Sequence, residues 1–404
     1  MMEINLTRLK EKFAVSNQIG TGKAGGLTRL ALSNEDRLIR NELVDWMKAL
    51  NLEVRIDDFG NVYGRREGNA DLPPFVIGSH LDTQPEGGKF DGILGVLASL
   101  EVINTLNDYD YQTEFPIEVV NFTNEEGARF EPALLGSGGL TGVFDKEYVY
   151  SRRDKHDKTF LEELKRTGYL GDKSNRLTEG CAYVELHIEQ GPILENLDKS
   201  IGIVEGILGI SWVSVKVTGK SGHAGPTPMH LREDAVEKAT KVIQKVYEVA
   251  NEFEGLLLTI GKVNVNPNVV NSIAEEVLFT VDVRHKDDET RLNFIKKIKK
   301  LIKGELVVDW DAPAINFSQE IQEVIQSATE KNGLEYEYLY SGAGHDAMYM
   351  NKIMPTGMIF VPSIGGISHV EHELTLDKDI EKGAQTLLST IISYNRNRKV
   401  KTNK

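Results

Sequence analysis

Four stretches of this chain place imidazoles and carboxylates where apolar runs end. "GSHLDTQPEGGKFDG" carries His80, Asp82 and Asp91, and "NFTNEEGARF" carries the adjacent Glu125 and Glu126. "VELHIEQGP" carries His187, Glu189 and Gln190, and "GGISHVEHELT" carries His369 and His372 on either side of Glu371. An imidazole at a strand end can ligate a divalent ion, and a carboxylate two residues on can hold the ring through its other nitrogen, which is the expected role of Asp82 beside His80. A carboxylate, unlike an imidazole, can bridge two ions, and Asp91, beyond a glycine-rich turn, is the candidate. Adjacent carboxylates repel. Glu125 and Glu126 are best explained by divided labour, one binding metal and the other taking the proton of a water whose pKa the metal lowers. Each stretch alone has an ordinary explanation: Asp91 as a helix N-cap, the glutamate pair as a solvated loop, His187 as a buried histidine satisfied by a carboxylate. Together His80, Asp91, Glu126, His187 and one of the two late histidines offer three nitrogens and two carboxylates, a donor set for Zn, Mn, Co or Ni.

The elements that must position these residues are legible in the same text. "PPFVIGSHLDT", "FPIEVVNFTNEE" and "AYVELHIEQG" each read as a buried strand followed by polar residues. Ligands of open α/β sheets lie outside the carboxyl ends of the strands, so these three ends are expected to converge. "SNEDRLIRNELVDWMKAL" reads as a helix capped by Ser33 or Asn34. From about Ile207 the texture changes to alternating strands ("ISWVSVKVTG", "LLLTIGKVNV", "EVLFTVDVRH") with two helices between them, and βα texture resumes after "VVDWDAPAINF". The expectation is an α/β fold: a discontinuous metal-binding domain, 1–207 and 325–404, built on a mixed sheet with helices on both faces, and an inserted α+β domain, 208–324.

Composition bounds the function. A chain of 404 residues exceeds what one core usually holds, which favours two domains. A formal charge of -14 argues against nucleic acid as a partner. The basic runs "KKIKKLIK" and "RNRKVKTNK" are short, and are expected to be a solvated helix face and a frayed terminus. No apolar run approaches the ~20 residues of a membrane span, and "MMEINLTRLKEKF" lacks the apolar centre of a signal peptide, so the cytoplasm is the expected location. The single cysteine, Cys181, excludes an intrachain disulfide and is expected to be a small buried hydrophobe.

The ordered set "GSHLDTQPEGGKFDG", "NEEGARF", "HIEQGP", "GKSGHAGPTPMHLREDA", "PNVVNSI", "DVRH", "SGAGHDA" and "GGISH" resembles the binuclear-metal amidohydrolases of the carbamoylase branch of the M20 metallopeptidase-like superfamily. That branch includes N-carbamoyl-L-amino-acid hydrolase, β-ureidopropionase and allantoate amidohydrolase, and the resemblance spans nearly the whole chain. It implies two divalent metal ions per subunit, with His80 and His187 on one, Asp91 bridging, and Glu126 and His369 completing the other. His369 is preferred to His372 because the family's last ligand follows a small-residue stretch as Ser-His, here Ser368-His369; where the family often has proline two residues later, this chain has Glu371. Glu125 becomes the general base.

The resemblance also implies that His223, Asn271 and Arg284 of the smaller, ferredoxin-like domain recognise the substrate's carboxylate and scissile carbonyl, with Gln190 and the backbone of Gly344 contributing from the larger. Asn268 is a rival to Asn271. Arg suits a carboxylate because its planar fork donates two parallel bonds. The smaller domain is implied to be both lid and homodimer interface, with His223 reaching into the neighbouring subunit's site. The implied reaction is hydrolysis of the ureido group of an N-carbamoyl-L-amino acid to free amino acid, CO2 and NH3. Allantoate amidohydrolase and β-ureidopropionase are the alternatives. "NEEGARF" and "HIEQGP" speak against the dipeptidases and aminoacylases of the wider superfamily.

Overall fold

The computed structural model describes residues 2–302 and 304–402. The strands Phe75–His80, Ile117–Phe122 and Ala182–Ile188 are buried at every position, as expected of strands covered on both faces. They run parallel to one another and to Thr356–Val361. Across the sheet the order is Glu53–Ile56, Val62–Arg66, Ile117–Phe122, Phe75–His80, Ala182–Ile188, Thr356–Val361, Ile201–Ile207, and the outer pairings are antiparallel. The carboxyl ends of the four central strands therefore open on one edge of the sheet.

Helices complete the core. Ile93–Asp108 is apolar around its whole circumference and buried along nearly all its length, the property of a helix enclosed by protein. It packs on Phe75–His80 and on the final helix Asp377–Thr402. Asn34–Ala49 is capped by Ser33, whose hydroxyl accepts the N–H of Asp36, and packs on the antiparallel edge. Cys181 is buried. Among the described residues no helix is long and apolar enough to cross a membrane. The C-terminal basic run is helical through Thr402 rather than frayed; its last residues, Asn403 and Lys404, lie outside the described residues.

The chain divides into two compact units, one running to Glu205 and resuming at Phe317, the other Gly206–Asn316. The second crossing falls at Asn316/Phe317 rather than at 324/325. The reason is the helix Gln319–Lys331, whose Ile321, Val324 and Ile325 belong to the core of the larger unit. An amphipathic helix reads the same whichever unit it packs on. In the smaller unit an antiparallel sheet of order Val263–Asn266, Glu276–His285, Gly209–Thr218, Glu305–Ala312 buries Val213, Val215, Val217, Val277, Phe279, Val281 and Val283 at period two. That face packs on the helices Ala235–Ala250 and Asp288–Leu301. Lys296, Lys299 and Lys300 of the first basic run lie on the exposed side of the second helix; Lys303, its last residue, lies outside the described residues.

Candidate active site

His80 ends the strand Phe75–His80 and His187 lies one residue from the end of Ala182–Ile188; both side chains are 1% exposed. The Nδ1 atoms lie 2.9 Å from the backbone carbonyls of Asp82 and Ile188 respectively. A carbonyl can only accept, so each Nδ1 carries a proton, and each Nε2 is the atom left to bind a metal once it is deprotonated. The two Nε2 atoms face Asp91 Oδ1 at 3.5 and 3.2 Å. His80 Nε2 is buried without a hydrogen-bond partner, while His187 Nε2 accepts the N–H of Gly92 at 3.1 Å. Gly92 has φ +67, and a Cβ there would lie 2.3 Å from the His80 ring, so both conformation and space require glycine. Gly92 is also the N-cap of Ile93–Asp108, with no side-chain capping bond, so Asp91 is not spent on capping.

One expectation is corrected. The carboxylate of Asp82 lies 3.9 Å from His80 Nδ1, and it is the main-chain carbonyl of Asp82 that holds the ring. The carboxylate instead accepts the backbone N–H groups of Glu125 (3.2 Å) and Glu126 (3.3 Å). The alternation that would aim Asp82 at His80 holds only inside a strand, and the strand ends at His80.

Those two bonds fix the loop after Ile117–Phe122 and send its glutamates to different neighbours. Glu125 is buried with Oε2 3.4 Å from His80 Nε2. Glu126 Oε2 lies 3.5 Å from His369 Nε2 and accepts from Gln84 Nε2 at 2.8 Å. His369 sits in a loop at φ +60, its side chain 49% exposed, with Nε2 3.4 Å from Asp91 Oδ2. Two groups of ligand atoms result, His80/Asp91/His187 and Asp91/Glu126/His369, each within 4.8 Å. They share Asp91 and use different oxygens of it. His372 joins neither group.

The electrostatics follow from crowding opposite charges out of water. Burial pushes the Asp91 carboxyl up, but the imidazoles of His187, His369 and His80 outweigh it and hold Asp91 well below the usual carboxylate range. Burial, reinforced by the carboxylates of Asp346, Glu126 and Asp91, raises Glu125 well above its ordinary value. Glu126 is pushed up to about 7, first by burial and then by the charge of Asp91. His369 rises to about 9, chiefly through its bond to Asp91. Burial opposes charge on His80, yet the carboxylates of Glu125 and Asp91 hold it well above its ordinary value, and His187, likewise buried, is raised by Asp91. A ligand must be deprotonated to bind metal. At pH 7 the metal-free protein therefore holds protons on His369 and His80 and a fraction of one on Glu126, and ions entering the cluster must displace them. Calorimetric titration with a divalent metal at pH 7, in buffers of different ionisation enthalpy, is expected to report about one or more protons released per ion. Apparent affinity should weaken as pH falls from about 9 to about 6, by up to roughly tenfold per unit for each proton displaced. No buffer dependence would refute the assignment of His369 and Glu126.

Residues 76–393 match peptidase family M20/M25/M40. The chain is 39% identical over 402 residues to N-carbamoyl-L-amino-acid amidohydrolase of Rhizobium meliloti, covering 96% of each. It is 34% identical over 393 residues to allantoate amidohydrolase of Escherichia coli, covering 94% of this chain and 95% of that one. The chain belongs to the M20 superfamily, on its carbamoylase branch. Among solved structures, a hydantoinase/carbamoylase family amidase from Burkholderia multivorans superposes with a TM-score of 0.92 at 41% identity, over 97% of this chain and 98% of that one.

The remaining residues expected at an M20 site fall in both units. In the larger, Gln190 has φ +58 and donates through Nε2 to Asp91 Oδ2 at 2.7 Å, so its amide is engaged by the carboxylate common to both groups. Gly344 is exposed in the loop before His345. In the smaller, His223 pairs with Ser272 in the ribbon Gly222–His223/Ser272–Ile273, and Asn271 accepts the N–H of Ala224 at 2.9 Å, so the two lie side by side. His223 Nδ1 accepts the N–H of Gly225 at 3.1 Å, which leaves Nε2 as its donor. Arg284, on Glu276–His285, is engaged by Asp282 through Nε and Nη2, each at 2.9 Å. Asn268, the rival to Asn271, has φ +52 in the same loop.

A layer of polar residues behind His187 went unassigned in the sequence. Glu185 accepts from Ser79 Oγ (2.7 Å), Tyr183 Oη (3.0 Å) and the N–H of Ala347 (3.1 Å), and lies within ligand distance of His187 and His345. The His345 ring meets that of His187 edge-on at 4.6 Å, and burial, then the charge of His187, holds it well below its ordinary pKa. Asp346 accepts from Ser137 Oγ at 2.5 Å. The signal was available: Glu185 stands two residues before His187 on the same strand face, and "GHDA" lies just beyond the strand Tyr336–Ser341, as "SHLD" straddles the end of another.

Proposed function

We propose that this protein hydrolyses the ureido group of N-carbamoyl-L-amino acids, releasing the amino acid, CO2 and NH3. It is a hydrolase of carbon–nitrogen bonds in linear amides, the class its amidohydrolase relatives are named for. The observation that carries the reading is Asp91, whose two oxygens face two different ligand groups. The donor set fits two divalent ions, Mn, Co, Ni or Zn. His80 Nε2 is buried without a hydrogen-bond partner, and three imidazoles with two carboxylates suit borderline metals. His80 and His187 would hold one ion, Glu126 and His369 the other, with Asp91 common to both. When bound, such ions polarise a carbonyl and lower the pKa of water.

The chain's own groups do the rest. Glu125 takes the proton of the attacking water and returns it to the leaving nitrogen. His223, with Nε2 as donor, stabilises charge developing on the carbamoyl oxygen. Arg284 receives the substrate carboxylate in exchange for Asp282, assisted by Asn271, Gln190 and the backbone of Gly344. The smaller unit serves as lid and as the surface of a homodimer, with His223 acting in the neighbouring subunit's site.

The test is ammonia release from N-carbamoyl-α-amino acids, N-carbamoyl-β-alanine, allantoate and a dipeptide with Mn, Co or Zn supplied. The α-carbamoyl compounds are expected to give the highest kcat/KM, by about tenfold or more, equivalent to about 1.4 kcal/mol of transition-state discrimination. Preference for allantoate would move the enzyme to the activity named for its E. coli relative, and cleavage of the dipeptide alone would sink the carbamoylase reading.

A further inference from the structure

His369 is anchored differently from the other two imidazoles of the cluster. His80 and His187 are held in buried strands, whereas His369 lies half-exposed in a loop with left-handed backbone. Two glutamates that follow it tie that loop down on opposite sides. Glu373 faces inward: Oε1 accepts the N–H groups of Phe90 (3.0 Å) and Asp91 (3.1 Å), and Oε2 accepts from Ser368 Oγ, which also reaches Asp91 Oδ2, both at 2.9 Å. Glu371 faces outward, onto the glycine-rich segment 20–26. Its Oε1 accepts the N–H of Ala24 at 3.0 Å and of Gly26 at 3.3 Å.

The segment is shaped to this carboxylate. A Cβ on Gly22 would lie 2.2 Å from Glu371 Oε1, and one on Gly26 would lie 2.6 Å from Glu371 Cα and Cβ. The far side of the segment is tied to the loop that leads to Asp91. Leu27 and Gly87 exchange backbone hydrogen bonds of 2.9 and 2.7 Å, and the Glu86 N–H reaches Thr28 Oγ1 at 2.8 Å. The His369 loop and the Asp91 loop are thus bound to one strap.

We infer that Glu371 is a positioning residue that latches the strap onto the His369 loop, holds His369 over Asp91 and Glu126, and thereby sets how long an ion stays at that group. A ligand on a loop must be held within about 0.5 Å of its working position by its surroundings, and charge-assisted bonds to two backbone amides are a strong way to do so. The inference rests on the reading of His369 as a metal ligand.

The test loads the full-length protein with manganese, dialyses it against a chelator and counts retained ions with time in wild type, Glu371→Ala and Glu371→Gln. The alanine variant is expected to lose one of two ions about tenfold faster than wild type, the low end of the effect of removing a ligand's support, and to keep the other as wild type does. The glutamine variant, whose amide oxygen still accepts from Ala24 and Gly26, should stay within about threefold of wild type. Equal retention in alanine variant and wild type would overturn the inference, as would loss of both ions together with a lowered Tm, which marks general loosening. A wild-type protein that never holds a second ion would instead sink the assignment of the site itself.

Discussion

Glu125→Gln is expected to leave metal content unchanged and to lower kcat by roughly 10²- to 10⁴-fold, the usual contribution of a positioned general base. The geometry argues for this split. Glu125 belongs to neither ligand group, yet its Oε2 lies 3.4 Å from His80 Nε2, next to where an ion held by His80 must sit. Its backbone N–H is fixed by Asp82, so an isosteric amide should occupy the same place without moving the loop. The amide cannot take a proton, and KM should change little because ground-state contacts persist. Metal analysis and steady-state kinetics on one preparation check the claim. Activity within about tenfold of wild type would remove Glu125 from the proton path, and loss of an ion would make it a ligand. Glu126→Gln should fail the other way, losing an ion, since Glu126 belongs to the group with Asp91 and His369.

Much of this site was legible because ligands at the mouth of a parallel sheet follow a simple rule. A buried, largely apolar strand brings the polar residues at or just beyond its end to the common edge: His80 and His187 lie at such ends, and Glu125 and Glu126 follow one. What the rule could not supply was side-chain direction beyond the strand end. There Asp82 turned its carboxylate to the neighbouring loop, and His369 came in through a loop held by tertiary contacts. Glu185 was passed over because a polar residue inside an apolar run does not name its partners until the strands are paired, and His345 and Asp346 because they lie in a loop beyond the strand Tyr336–Ser341. His223 and Asn271 are adjacent only through antiparallel pairing across a long sequence gap. Family resemblance, not periodicity, singled them out. The fold was easier to read because its signals, period two in the smaller sheet and continuous burial in the larger, are carried by many residues at once.

Asp91→Asn should be the most damaging change in the cluster, abolishing turnover and the binding of at least one ion while the chain stays folded. Asp91 alone belongs to both ligand groups, and its depressed pKa reflects three imidazoles facing one carboxylate. Asparagine keeps the shape but offers one oxygen in place of two, so it can serve one group at most. Its NH2 must also face either the His80 and His187 Nε2 atoms or the donors Gln190 Nε2 and Ser368 Oγ, which now share Oδ2 at 2.7 and 2.9 Å. The first choice turns the amide oxygen away from the His80 group, and the second sets donor against donor at a cost of about 1–3 kcal/mol. Neither restores a bridge. Because metal binds the folded form, adding manganese should raise the Tm of wild type, in line with RT ln(1 + [L]/Kd), and raise that of the variant less. A thermal melt with and without metal, beside metal analysis after desalting, reads both effects. An Asp91→Asn protein that kept two ions would show that the two groups do not depend on a shared carboxylate.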